Sequence, residues 1–145
     1  MFENLIRRLS APAPDPLTEP DARLALAALL VRLARTDGLY SADEVERIDR
    51  VLMQRHGLSP FEAEALRRNA EDLEGAAPDT VRFTRAIKEA VPIADRADLL
   101  QAMWSVVLSD GLRDEEEESL MRLVASLLGL SDVDSALARQ QADRL

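Results

Sequence analysis

ARTDGLYSADEVERIDRVLMQRHGLS, from Ala34 to Ser59, and VLSDGLRDEEEESLMRLVASLLGLS, from Val107 to Ser131, carry the same phrase twice. Asp37-Gly38-Leu39 falls on Asp110-Gly111-Leu112. After a one-residue gap Glu46 falls on Glu118, Ile48 on Leu120, and Gly57-Leu58-Ser59 on Gly129-Leu130-Ser131. Four of the five glycines are paired in this way. A glycine just past a helix supplies the left-handed residue that closes it, so the phrase reads as helix, Asp-Gly turn, acid-capped helix, Gly-Leu-Ser turn, helix. Two copies predict an all-α, single-domain bundle of seven to eight helices built from two pseudo-twofold related repeats, about 21–74 and 95–145.

The flanking sequence supplies the other helices. Asp21 to about Thr36 is apolar on nearly every face and predicts a buried central helix. Ser41 with Glu44 predicts a capping box for a helix from about Ala42 to His56, and Ser59-Pro60-Phe61-Glu62 predicts another, ending near Leu73. Asp79 caps a short helix that Pro92 interrupts. Asp95 opens a second central helix through Leu99, Leu100, Met103, Trp104 and Val107, and Asp114 opens one with Leu120, Leu123, Val124 and Leu127 facing inward. Ser131 caps the last, to about Asp143. Residues 1–20 form a separate stretch. Phe2, Leu5, Ile6 and Leu9 make one amphipathic stripe with Arg7 and Arg8 beside it, and Ser10 to Pro20 holds four of the seven prolines, an extended tether.

Composition removes most chemistries. The chain has 145 residues, no cysteine and one histidine, His56, which excludes thiolate metal sites, cysteine nucleophiles and paired-histidine centres. No phosphate-binding glycine loop is present. No enzyme is expected. A formal net charge of -9 repels phosphate backbones, so nucleic acid is not expected as a partner. The longest apolar stretch, Leu24 to Val31, is far below the roughly 18 residues of a membrane span. The opening MFENLIRRLS has too short an apolar block for a secretory signal and is read as part of the mature protein.

The residues that stand out are acids. Asp110, Asp114, Glu115, Glu116, Glu117 and Glu118 crowd nine positions, and the equivalent turn holds Asp37, Asp43, Glu44 and Glu46. Acids in a first helical turn answer the positive end of the helix dipole, which needs no ligand. Clustered carboxylates also suit hard divalent cations, and Ca²⁺, Mg²⁺ or Mn²⁺ would be the class. An EF-hand is excluded, since counting from Asp110 places Leu112 at the third position and Glu115 where glycine is required. His56 reads as a helix-end cap, Met103 and Trp104 as core, and Arg82, Arg85 and Lys88 as a solvated face.

The paired phrase resembles the tellurite-resistance TerB family, and more closely its stand-alone TerB-like bacterial proteins, over roughly Asp21 to Leu145. The resemblance implies a cytoplasmic, non-enzymatic helical bundle of metal or oxyanion stress, with a peripheral position at the inner membrane. It further implies an acidic surface for divalent cations, and protein partners that include a membrane-embedded tellurite-resistance protein. By motif position the metal residues carried over are Asp37 and Glu44 from the first copy and Asp110 and Glu117 from the second, with Glu116 an equal match to Glu44. Asp43 joins them as a further acid of the first turn. A metal-independent helical adaptor, its acids serving solubility and partner choice, is the alternative.

Overall fold

The structure is a computed structural model that describes residues 19–36, 40–76, 80–108 and 115–143; the side chains of 19–22, 82, 86, 90, 115, 116 and 143 are outside that description. Among the described residues it has seven helices and no strand: α1 (Glu19–Arg35), α2 (Ala42–His56), α3 (Pro60–Gly75), α4 (Thr80–Ala90), α5 (Ile93–Val107), α6 (Glu115–Leu127) and α7 (Asp132–Asp143). The stripe at Phe2–Leu9 lies outside the described residues.

α1 is the axis of the core. From Ala25 to Ala34 every residue except Arg32 is buried, and its four buried alanines let neighbouring backbones approach closely. It packs chiefly against α3 and α4 and also touches α5. It begins at Glu19, so the tether read from the prolines ends earlier than Pro20. A proline in the first helical turn loses no hydrogen bond, because that N–H has no intrahelical acceptor. α5 is the second buried helix, with Leu99, Leu100, Met103, Trp104, Val106 and Val107 in the core, and it packs chiefly against α7. It opens at Ile93, directly after Pro92, rather than at Asp95.

The local turns follow the sequence. Ser41 and Glu44 close a reciprocal box, as do Ser59 and Glu62, and Ser131 exchanges the same pair of bonds with Asp134. Gly57 and Gly129 are the residues with positive φ among those described, at 64° and 78°. Behind each, Leu58 and Leu130 donate to the carbonyls of Met53 and Ala125, closing the helix end. These features match between the two motifs; the pseudo-twofold relation of whole halves stays an expectation of the sequence.

Two side chains fasten the second half. Arg96 donates to three main-chain carbonyls, those of Lys88 (2.9 Å), Val91 (3.2 Å) and Leu128 (3.2 Å), and so ties the ends of α4 and α6 to the start of α5. Trp104 donates from Nε1 to Ser135 Oγ at 3.2 Å, and the Arg139 guanidinium lies 4.8 Å from its ring centre. The indole is thereby roofed by α7.

Candidate functional site

The acids of the sequence divide by burial. Asp37 and Asp110 lie outside the described residues, as does the side chain of Glu116. Asp43 is exposed in the first turn of α2, as a solvated helix start should be. Glu44 and Glu117 are different: each is 1% exposed, and each is the third residue of its helix. Glu44 Oε1 accepts from the Ser41 backbone N–H at 3.1 Å, while Ser41 Oγ accepts from the Glu44 N–H at 3.1 Å.

The helix faces explain why these two glutamates go inside. In α2 the buried residues are Glu44, Ile48, Val51 and Leu52; in α6 they include Glu117, Met121, Val124 and Ala125. The two sets match one for one at a constant offset, so each glutamate heads the core-facing stripe of its helix. This corrects two expectations. Val124 is buried and Leu120 packs against the core, as expected, but Leu123 is exposed, because the stripe through Glu117, Met121 and Val124 is the one that meets the core. The one-residue difference between the motifs also falls near the helix ends, not between the Asp-Gly turns and the glutamates. On that register Glu117 is the counterpart of Glu44, and Ile48 pairs with Met121 instead of Leu120.

A charged network stands beside the first motif. Arg67 of α3 bridges Asp49 of α2 (Nε to Oδ1, 2.6 Å) and Glu71 (Nη1 to Oε2, 3.0 Å), and the Tyr40 hydroxyl donates to the same Glu71 oxygen at 2.7 Å. Burial pushes the Tyr40 phenol well above its ordinary range, and the hydrogen bond to the Glu71 carboxylate raises it further. Burial alone would weaken the charge on Arg67, but the bonds to Asp49 and Glu71 more than restore it, so its pKa is raised. Arg35 reaches Glu74 at 2.9 Å, with its guanidinium 5.1 Å from the Tyr40 ring centre, and so connects α1 to the network. Arg67 and Glu71 are an i,i+4 pair within α3, but nothing in the local sequence announces the bonds to Asp49, from Tyr40 and from Arg35, which join residues on different elements.

A shallow open depression of about 200 Å³ is lined by Asp43, Glu46, Arg47 and Arg50, with Glu46 and Arg50 paired at 2.8 Å. Its mixed lining presents no uniform charge to a ligand. His56 is the last residue of α2, where a cap was expected. Met103 and Trp104 are buried, and Lys88 is exposed. Among the described residues, no three acidic or histidine side chains gather into a metal-ligand cluster.

Sequence comparison places the helical region in a known family. The family pattern described as tellurite resistance protein TerB matches residues 23–140. The chain belongs to the TerB family. That match runs from α1 to α7, so it takes in both motifs and leaves the first 22 residues outside. Among solved structures, the chain is similar to a protein of unknown function, PG1108 from Porphyromonas gingivalis W83. It superposes with a TM-score of 0.64 at 17% identity, covering 92% of this chain and 97% of the other. At that identity the likeness is one of fold. No curated protein matches the chain. Among the described residues no helix of this TerB-family member is long and apolar enough to cross a membrane.

Proposed function

We propose that this chain is a non-enzymatic TerB-type module that binds a hard divalent cation through the acids opening α2 and α6. On this reading it docks to partner proteins in the cytoplasm or at the inner membrane, a membrane-embedded tellurite-resistance protein among them. The observation that carries this reading is the burial of Glu44 and Glu117 at the head of two matching core-facing stripes. An acid that serves only the helix dipole has no need to leave the surface, and these two stand on the core-facing side of their helices. Carboxylate oxygens are the donors that Ca²⁺, Mg²⁺ and Mn²⁺ prefer, so the donor chemistry fits. Asp37, Asp43, Asp110 and Glu116 would supply the remaining ligands.

The adaptor reading has its own support. Glu44 already serves a capping box, a role that needs no metal. Melting of metal-stripped protein with Ca²⁺, Mg²⁺ or Mn²⁺ at constant ionic strength separates the two. An ion that binds only the native state adds about 2.7 kcal/mol at 100 times its Kd, enough to raise the melting temperature by several degrees. Glu44→Gln with Glu117→Gln keeps an acceptor for the cap and removes the charge, and should abolish the shift. If no ion shifts the wild type beyond a monovalent control, the adaptor reading stands instead.

A further inference from the structure

α7 is apolar on two sides. Ser135, Ala138 and Ala142 face the core, where α7 packs on α5 and α6, while Val133 and Leu137, one turn apart, stand 68% and 53% exposed on the other side. Single exposed apolar side chains are ordinary on any protein surface. Among the described residues, however, these are the only two large exposed ones that share a face of one helix. They are bordered by the exposed acids Asp132 and Asp134. A helix with apolar residues on opposite sides is one that expects a second neighbour.

The chain itself contains a segment complementary to that face. Phe2, Leu5, Ile6 and Leu9 fall on one side of a helical period, with Arg7 and Arg8 flanking them. In an otherwise acidic chain, this is an apolar stripe bordered by two arginines and one acid, Glu3, and α7 presents an apolar pair with acidic borders. Ser10 to Thr18, nine residues with three prolines, separates that stripe from α1. Extended, such a tether spans about 30 Å, the width of a domain of this size. We propose that the Phe2–Leu9 segment covers Val133 and Leu137 of its own chain, with Arg7 and Arg8 beside Asp132 and Asp134. The tether keeps the effective concentration of the segment high, so a small apolar contact suffices.

The absence of cysteine makes a direct test simple. A nitroxide on Asn4→Cys, on the side of the segment opposite its apolar stripe, is placed in the full chain and backbone amide signals are recorded. The expected result is loss of signal along α7 around Val133 to Leu137, recovered when the label is reduced. The loss disappears in Leu137→Glu and persists in Leu123→Glu, a substitution at an exposed position of α6. Signal loss confined to another surface, or none at all, overturns the proposal. So does loss that appears only when labelled and isotope-enriched chains are mixed, since that would place the segment on a neighbouring copy.

Discussion

Arg96, in the first turn of α5, donates from Nη1 to the Leu128 carbonyl at 3.2 Å. That carbonyl sits at the end of α6, and the same guanidinium takes the Lys88 and Val91 carbonyls at the end of α4. One cation thus answers the negative ends of two helices. Arg96→Met should lower stability by about 1–2 kcal/mol, since carbonyls near the surface regain water in part. Arg96→Lys should recover little of it, because a point charge cannot serve three acceptors at once. Chemical denaturation of the three proteins decides this, and equal stability of the wild type and Arg96→Met would show that the bonds are replaced by solvent at no cost.

Arg67 is the hub of the other network. It is the most enclosed member, with Asp49 and Glu71 only partly accessible. Arg67→Met leaves two carboxylates close together without their cation and should cost about 2–3 kcal/mol, less than a fully buried pair would. Adding Asp49→Leu should return part of that loss. A double-mutant cycle in urea measures the coupling, and a cycle that closes additively would mean that the bridge carries no net stability.

The two networks mark the limit of what the sequence displays. Caps at Ser41, Ser59 and Ser131 and closures at Gly57 and Gly129 are written in a few adjacent residues, because local backbone geometry selects those side chains. Arg67 and Arg96 act across the fold, and an arginine on a polar helix face looks the same whether it meets solvent or a neighbour's carbonyl. Motif position in the family resemblance named Glu44 and Glu117 among six acids, but their burial depends on which face of α2 and α6 meets the core. In α6 the expected face included the exposed Leu123 and left out the buried Met121, and the paired stripes Glu44–Ile48–Val51 and Glu117–Met121–Val124 fix it.

Tyr40 is the single tyrosine and Lys88 the single lysine, so alkaline titration of the chain is unusually simple. Burial first, and then the bond to Glu71, hold the phenol protonated in the folded state above its ordinary pKa. A raised folded value means that the contribution to stability is complete below the unfolded pKa of about 10 and declines as pH rises beyond it, where only the unfolded chain releases the proton. Tyr40→Phe should flatten that decline while leaving stability at lower pH reduced by the lost bond. Tyrosinate absorbance in the native protein should appear only at a pH well above that of the denatured chain. Coincident titration of the two states would contradict the bond.

At the acidic end the sign reverses. The Ser59 backbone N–H bonded to Glu62, and the Ser131 N–H bonded to Asp134, hold these exposed carboxylates below their ordinary range. Their contribution is present above the unfolded carboxylate pKa and lost as pH falls through the folded one. Glu62→Gln and Asp134→Asn should therefore reduce the slope of stability against pH between about pH 5 and 3. Unchanged slopes in both would remove the boxes from the account.

The three described glycines should respond differently to alanine. Gly57 has open space around its Cβ position, so Gly57→Ala costs only its left-handed backbone, about 1–2 kcal/mol. Gly129→Ala should cost a similar amount. Gly75, helical and unobstructed, should gain from the same change by up to about 1 kcal/mol. Thermal melts of the three variants test the ordering, and destabilisation by Gly75→Ala would contradict it.

Trp104 is the chain's only indole, and Ser135 and Arg139, both of α7, contact it. If α7 lifts away, Ser135 and Arg139 leave with it and water reaches the ring while the α1 core is still closed. Emission would then shift to the red before much ellipticity is lost. The protein carries its own optical gauge of whether it opens in one step or two: coincident fluorescence and circular dichroism transitions mean that α7 is part of the cooperative unit, and an early fluorescence change means that it is a separate leaf.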